Sequence, residues 1–136
     1  MAFIPYHQHL LVRGFCEKPF TSSEDLNKWF IELVHNVDME VVAGPTSVYV
    51  DEEGNEGVTG TVTLATSHSS IHIWDSQVPS LFQFDIYSCK KYDIQQVINH
   101  LNLMKVLEFS WVSIDRNDGL KIVGSGTGFG DKIITL

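Results

Sequence analysis

The segment from residue 58 to residue 89 constrains the fold most, because its alternation of residue types predicts consecutive β-strands. Alternate residues of an extended chain point to opposite faces of a sheet. In the last strand of this segment, one face carries Phe82, Phe84 and Ile86, and the other carries Gln83, Asp85, Tyr87 and Cys89. The apolar set predicts a buried face. We predict strands over 58–64, 69–74 and 81–88, with a loop that contains Pro79 before the last one.

Two predicted helices interrupt the strands. Residues 21–23 offer an N-cap and apolar residues then recur at helical spacing, so we predict a helix over 23–35 and a second one over 92–104. Further strands are predicted at 9–15, 40–43, 47–50, 106–114 and 120–123. Gly44-Pro45 is expected to break the strands beside it, and the glycines at 124–130 predict a loose tail as far as Lys132. This order predicts an α+β fold: an antiparallel sheet with both helices on one face, and a free face that pairs with a second sheet in a dimer.

Length and charge limit the classes of partner. The 136 residues suit a single domain, 1–136. The net charge is −8 with no basic run, so nucleic acid and anionic membranes are poor partners, and a cationic substrate is mildly favoured. No apolar run approaches the roughly 20 residues of a membrane helix, and the amino terminus lacks the regions of a signal peptide, so we expect a cytoplasmic protein. Cys16 and Cys89 are expected to be free thiols.

Reactive residue types cluster on two of the predicted strands. Ser67, His68 and His72 lie close together, and Cys89 closes the next strand. Taken singly, each has a commoner structural explanation, since a serine at a strand end usually serves a turn and a lone cysteine is usually a small buried hydrophobe. Their joint spacing distinguishes them, together with three flanking features: Gly57-Val58-Thr59-Gly60, Trp74 and Asp85.

These spacings closely resemble the self-processing segment of the small prokaryotic S-adenosylmethionine decarboxylases. The resemblance implies that the Ser67 hydroxyl attacks the carbonyl of Thr66 and that the chain is cut between these two residues. It also implies that Thr59 assists this acyl shift, that His72 removes the α-proton, and that Cys89 later returns a proton to the substrate. Ser67 thereby becomes a covalent pyruvoyl cofactor.

The same resemblance implies the reaction and the assembly. A pyruvoyl ketone forms a Schiff base with S-adenosylmethionine and acts as the electron sink for its decarboxylation. The product is the aminopropyl donor of spermidine and polyamine biosynthesis. In the family the small chains form homodimers with active sites near the interface, to which each protomer contributes, so we predict a homodimer.

The chain departs from the family pattern at positions that bear on recognition. Thr66 stands where the family usually has glutamate. Asp75-Ser76 follows Trp74 where the family has Pro-Glu, whose glutamate contacts the substrate ribose. Asp75 and Ser76 are therefore the candidate ribose contacts, and Tyr49 is the candidate aromatic residue against adenine. Because of these departures, ornithine or arginine is an alternative substrate for the same pyruvoyl chemistry.

Two other functions are open at this point. A homologue that does not process itself would keep the fold and act as a binding or regulatory protein for a nucleoside or an amine. A metal site could form if His7 and His9, which share a face of one strand, met His68 and His72. The spacing of these histidines matches no specific metal motif, so we predict no metal site.

Overall fold

A computed structural model describes residues 6–136. In chain order the elements are β1 (Gln8–Cys16), α1 (Ser23–Asn36), β2 (Val41–Val50), β3 (Gly57–Leu64), β4 (Ser67–Trp74), β5 (Ser80–Ser88), α2 (Ile94–Leu101) with a 3-10 turn at Asn102–Met104, β6 (Val106–Asp115), β7 (Lys121–Phe129) and β8 (Lys132–Thr135). In this part of the chain one eight-stranded antiparallel sheet has the order β2-β3-β4-β5-β1-β6-β7-β8. Residues 1–5, on which the expectation about the amino terminus rests, lie outside the described residues.

Both helices pack on one face of the sheet. α1 begins after the Ser22 cap and α2 after the Asp93 cap. The indole of Trp29 on α1 joins them: its N–H donates to the carbonyl of His100 on α2 at 3.0 Å, and its ring packs edge-on against Phe84 of β5. The apolar stripe of α1 is buried against the sheet: Leu26, Trp29, Phe30, Leu33 and Val34. The predicted α+β class and the placement of its helices are confirmed. Neither helix in residues 6–136 is long and apolar enough to cross a bilayer.

The predicted break at Gly44-Pro45 is wrong. β2 runs without interruption from Val41 to Val50, and two register shifts against β3 absorb the irregular backbone. β2 is an edge strand, so a proline that cannot donate a backbone hydrogen bond is tolerated there.

The predicted loose tail is also wrong, because the glycines there make room for aromatic rings. Gly124, Gly126 and Gly128 belong to β7, which pairs with β6 and then with β8. A Cβ added at Gly128 would lie 2.1 Å from the ring of Phe109, and one at Gly126 would lie 3.0 Å from the indole nitrogen of Trp111. These glycines therefore let the two rings of β6 lie across β7.

The other face of the sheet has no helix over it in the described part of the chain. Its central strands expose a mixture of polar and apolar side chains, among them Leu11, His68, His72 and Gln83. Apolar cross-strand pairs extend this surface from β1 across β6 to β7: Leu11 lies opposite Val112, and Ile114 lies opposite Ile122. We call this surface the open face; it is the free face that the sequence predicts.

Candidate active site

Ser67 lies at the tip of the hairpin between β3 and β4. Only Ala65 and Thr66 separate the two strands, and Leu64 pairs directly with Ser67. The Ser67 side chain is buried, with 8 % of the residue exposed. Its hydroxyl oxygen accepts a hydrogen bond from the Cys89 N–H at 3.0 Å and lies 3.4 Å from the Ala65 carbonyl oxygen. The nucleophile predicted from the sequence is therefore held in a defined position beside the predicted cleavage site.

The Cys89 thiol lies against the same turn. Its sulfur is 2.6 Å from Thr66 Oγ1 and 3.6 Å from the Ala65 carbonyl oxygen. The strand alternation had placed Cys89 on the polar face with Asp85, and this is wrong. β5 ends at Ser88, whose hydroxyl bonds both the N–H and the carbonyl of Lys90, and this tight turn carries Cys89 out of the alternation. Both cysteines are free thiols, as predicted, and both are buried.

A cavity of about 540 Å³ adjoins the turn. The segment that follows α1 forms one wall, and the lining includes Met39, Glu40, Thr66, Ser67, Cys89 and Lys90. The Lys90 ammonium donates to the Asp38 carbonyl at 2.7 Å and lies 3.3 Å from its carboxylate, which holds that wall in place. A small molecule therefore has room beside the serine hydroxyl and the thiol.

A second group of predicted residues lies near the other end of β4. Thr59 and His72 are directly opposite each other on β3 and β4, and Thr59 Oγ1 lies 3.1 Å from His72 Nδ1. The Tyr49 hydroxyl donates to Asp75 at 3.0 Å, and this hydrogen bond is the main reason why the pKa of Tyr49 is raised. Ser76 is exposed in the loop after β4 and makes no side-chain hydrogen bond among the described residues. The structure thus brings Thr59 to His72 and Tyr49 to Asp75.

The structure does not bring these two groups together within one chain. His72 lies five residues beyond Ser67 on the same strand, a separation of about 16 Å at about 3.3 Å per residue. The two side chains also alternate to opposite faces, since Ser67 is buried on the helix side and His72 is exposed on the open face. His72 therefore cannot reach the α-proton of Ser67 in its own chain.

A third group, which was not predicted from the sequence, lies on the open face between these two. His9, His68 and Tyr87 lie in one row across β1, β4 and β5, and Asp85 and Ser70 lie in the next row. The Asp85 carboxylate accepts hydrogen bonds from His9 Nε2 at 2.7 Å and from the Ser70 hydroxyl. Burial acts to raise the pKa of Asp85, but these two hydrogen bonds outweigh it and hold the pKa below its usual value. The alternation along β5 places Asp85 and Tyr87 on one face and so indicates part of this group. Its assembly depends on the pairing of β1 with β5.

The third group is the nearest approach to the metal site considered above. One ligand atom each from His9, His68 and Asp85 lies within 4.8 Å of the others. However, the Arg116 guanidinium is 3.3 Å from His9 Nδ1, and a guanidinium can only donate. His9 Nδ1 must then accept, so Nε2 carries the proton that is donated to Asp85 and has no lone pair for a metal. His7 lies at the edge of this group, where its Nδ1 is 2.6 Å from the Tyr87 hydroxyl, and His72 lies beside Thr59. The contacts among Arg116, His9 and Asp85 form a hydrogen-bond network.

Comparison with known proteins identifies the family. No curated protein matches the sequence significantly. A sequence model of S-adenosylmethionine decarboxylase matches residues 9–118 of the 136. The matched region contains all three groups of side chains described above. Because this match covers most of the chain, the protein belongs to the S-adenosylmethionine decarboxylase family.

Proposed function

We propose that this chain is a cytoplasmic, homodimeric S-adenosylmethionine decarboxylase of spermidine biosynthesis, a single domain that forms its own pyruvoyl group at Ser67. The observation that carries the proposal is the position of Ser67. Its hydroxyl is fixed by the Cys89 N–H directly after a two-residue turn, with the Cys89 thiol beside it. The family match supports decarboxylase chemistry in general.

The bonds that form and break in the cleavage all belong to Thr66 and Ser67 of this turn. The Ser67 oxygen attacks the carbonyl carbon of Thr66, the carbon–nitrogen bond breaks, and the hydroxyl proton passes to the Ser67 amine. Removal of the Ser67 α-proton then breaks the bond between Oγ and Cβ, which frees the Thr66 carboxylate as the end of residues 1–66. The dehydroalanine left at the start of residues 67–136 takes up water and releases ammonia.

The residues around Ser67 also fit the group that this produces. A pyruvoyl carbonyl supplies an electron sink for the carbanion left when carbon dioxide departs. The cavity of about 540 Å³ leaves room for an amino acid substrate there. Cys89 carries an S–H that lies against the turn, so it is positioned to return a proton to the substrate α-carbon.

The base for the cleavage comes from the second chain of the dimer. His72 and Thr59 form a pair on the open face, about 16 Å along β4 from the Ser67 of their own chain. In a two-fold dimer each contact occurs twice, so His72 of the partner subunit can serve Ser67 while the reverse contact serves the other site. The exposed apolar pairs of the open face, Leu11 with Val112 and Ile114 with Ile122, provide the contact area.

The test combines intact mass with carbon dioxide release. Purified wild-type protein should give two fragments split between Thr66 and Ser67, the second with a blocked amino terminus, and Ser67→Ala should remain whole. The processed protein should release carbon dioxide from S-adenosylmethionine. Release from ornithine or arginine instead would keep the cofactor but change the substrate. A wild-type chain that stays whole would make the protein a non-processing homologue.

A further inference from the structure

Thr66 has a backbone conformation that its side chain disfavours. Its φ is +57°, in the left-handed region, whereas Ala65 before it has a negative φ. This is the sign pattern of a type II turn, whose second central position normally takes glycine or asparagine. Two other non-glycine residues in the described part of the chain have positive φ, Asp38 and Lys105. Thr66 differs from both because its side chain is branched at Cβ, which makes the left-handed conformation most unfavourable.

Several contacts hold Thr66 in this conformation. The strands on either side are locked in register, since Leu64 pairs with Ser67. The Thr66 hydroxyl donates to the Ala65 carbonyl at 2.7 Å and lies against the Cys89 sulfur. The Cys89 N–H in turn holds the Ser67 hydroxyl. A strained residue persists when its surroundings determine its conformation in this way.

The strained residue also supplies the carbonyl that Ser67 attacks in the proposed cleavage. The acyl shift replaces one connecting atom, the amide nitrogen, by two atoms, Oγ and Cβ of Ser67. The turn thereby becomes longer and loses a rigid amide bond, so the constraint on Thr66 is relieved. We propose that Thr66 is a positioning residue whose left-handed backbone raises the free energy of the uncleaved turn and so accelerates self-cleavage. This inference rests on the proposed function, and it assigns a role to the position at which the chain departs from the family's glutamate.

The test is Thr66→Gly, because glycine adopts a positive φ without strain. The cleavage rate, followed by intact mass from freshly made precursor, should fall roughly tenfold. In the uncleavable Ser67→Ala background the same substitution should raise the urea midpoint of unfolding. A slower cleavage rate together with a higher urea midpoint would identify strain. Replacing a residue with a purely structural role would instead lower both the cleavage rate and the stability. A Thr66→Gly chain that cleaves at the wild-type rate, or a lowered urea midpoint, would overturn the inference.

Two controls separate strain from other causes. Thr66→Val keeps the branched Cβ and loses the hydroxyl, so it should cleave within about threefold of the wild-type rate; a fall as large as that of Thr66→Gly would assign the effect to the hydroxyl and overturn the inference. Lys105→Gly relieves a left-handed residue at the opposite end of β1 from the Ser88–Cys89 turn. It should raise the urea midpoint without changing the cleavage rate. If wild-type protein cleaves but these variants do not behave as predicted, the inference about Thr66 fails while the proposed function stands.

Discussion

The two ends of β4 are built differently. At one end Ser67 is buried and held by main-chain groups, the Cys89 N–H and the Ala65 carbonyl. At the other end His72 is exposed, and its one side-chain hydrogen bond among residues 6–136 joins it to Thr59. The first end needs nothing beyond its own chain to hold Ser67, the proposed nucleophile. The second end carries His72, the proposed base, which faces solvent and does not reach Ser67 of its own chain.

This difference separates the two residues that the proposed cleavage must bring together. Alternation along a strand puts residues five apart on opposite faces, so Ser67 and His72 are separated by direction as well as by distance. In the proposed two-fold dimer, one end of β4 would meet the other end of the partner's β4. The first prediction tests this directly.

The largest expected effect is restoration of cleavage by mixing two inactive chains. Ser67→Ala alone and His72→Ala alone should both stay whole. When they are co-expressed with different tags, the His72→Ala chain should be cleaved, because it keeps Ser67 and receives His72 of the partner subunit. At equal expression about half of the His72→Ala chains lie in mixed dimers. Intact mass identifies which chain is cut.

A control mixture combines two variants, Thr59→Ala and His72→Ala, whose substitutions both affect the half of the proposed site that the partner subunit supplies. Thr59→Ala mixed with His72→Ala should give no more cleavage than Thr59→Ala alone, because neither mixed site then has both residues. If His72→Ala cleaves alone, or if the first mixture stays whole, the two ends of β4 do not cooperate across a dimer.

The next effect separates cleavage from turnover at the Ser67 end. Cys89→Ala should still cleave, since the N–H that holds Ser67 belongs to the backbone, but decarboxylation should fall by about 100-fold or more. Cys16→Ala is the matched control: burial raises the pKa of the Cys16 thiol to about 11, and its position in the core gives it no contact with the turn. Carbon dioxide release measures both. Turnover of Cys89→Ala within threefold of wild type would remove Cys89 from the reaction.

The sequence predicts much of this arrangement because local patterns determine it. Alternation identifies β3, β4 and β5 nearly to the residue, and caps with apolar stripes identify both helices. The resemblance to the family motif singles out Ser67 and Cys89, but the pairing of β4 with β5 is what brings them together. The glycine tail could not be predicted, since whether its glycines loosen the chain or admit the rings of Phe109 and Trp111 depends on the register between β6 and β7.

Two other features escaped prediction, one because of long-range pairing and one because of a local turn. The group around Asp85 forms only because β1, far away in sequence, lies beside β5 and brings His9 to the carboxylate. The direction of the Cys89 side chain depends on the Ser88 turn rather than on strand alternation. The distance between Ser67 and His72 follows from strand geometry alone, whereas the proposed site that joins them needs a second chain.

A smaller effect is expected for recognition at the His72 end. Asp75→Asn weakens the hydrogen bond from Tyr49 and removes the carboxylate proposed to bind the ribose, so KM should rise by roughly tenfold while kcat changes less than twofold. Cleavage should be unaffected, because Asp75 makes no hydrogen bond to Ser67 or to the Thr59–His72 pair. Asp51→Asn removes a nearby charge and should leave KM unchanged. A slower cleavage rate in Asp75→Asn would contradict a role for Asp75 in substrate recognition alone.

The smallest effect concerns the middle of β4, where Ser70 bonds Asp85 on the open face. Hydrogen bonds from His9 and Ser70 hold the pKa of Asp85 below its value in the unfolded chain, so ionised Asp85 stabilises the folded state. Asp85→Asn should lower the free energy of unfolding at pH 7 by about 1 kcal/mol. This contribution is present above the pKa of an unfolded aspartate, about 3.9, and is lost as the pH falls through the lower pKa of the folded state. The difference in the free energy of unfolding between wild type and variant, measured by urea unfolding, should therefore shrink in strong acid.

The control is Asp118→Asn, at an exposed turn residue, which should change stability by less than about 0.5 kcal/mol at either pH. An equal difference at both pH values would mean that the charge of Asp85 does not stabilise the face that carries His72.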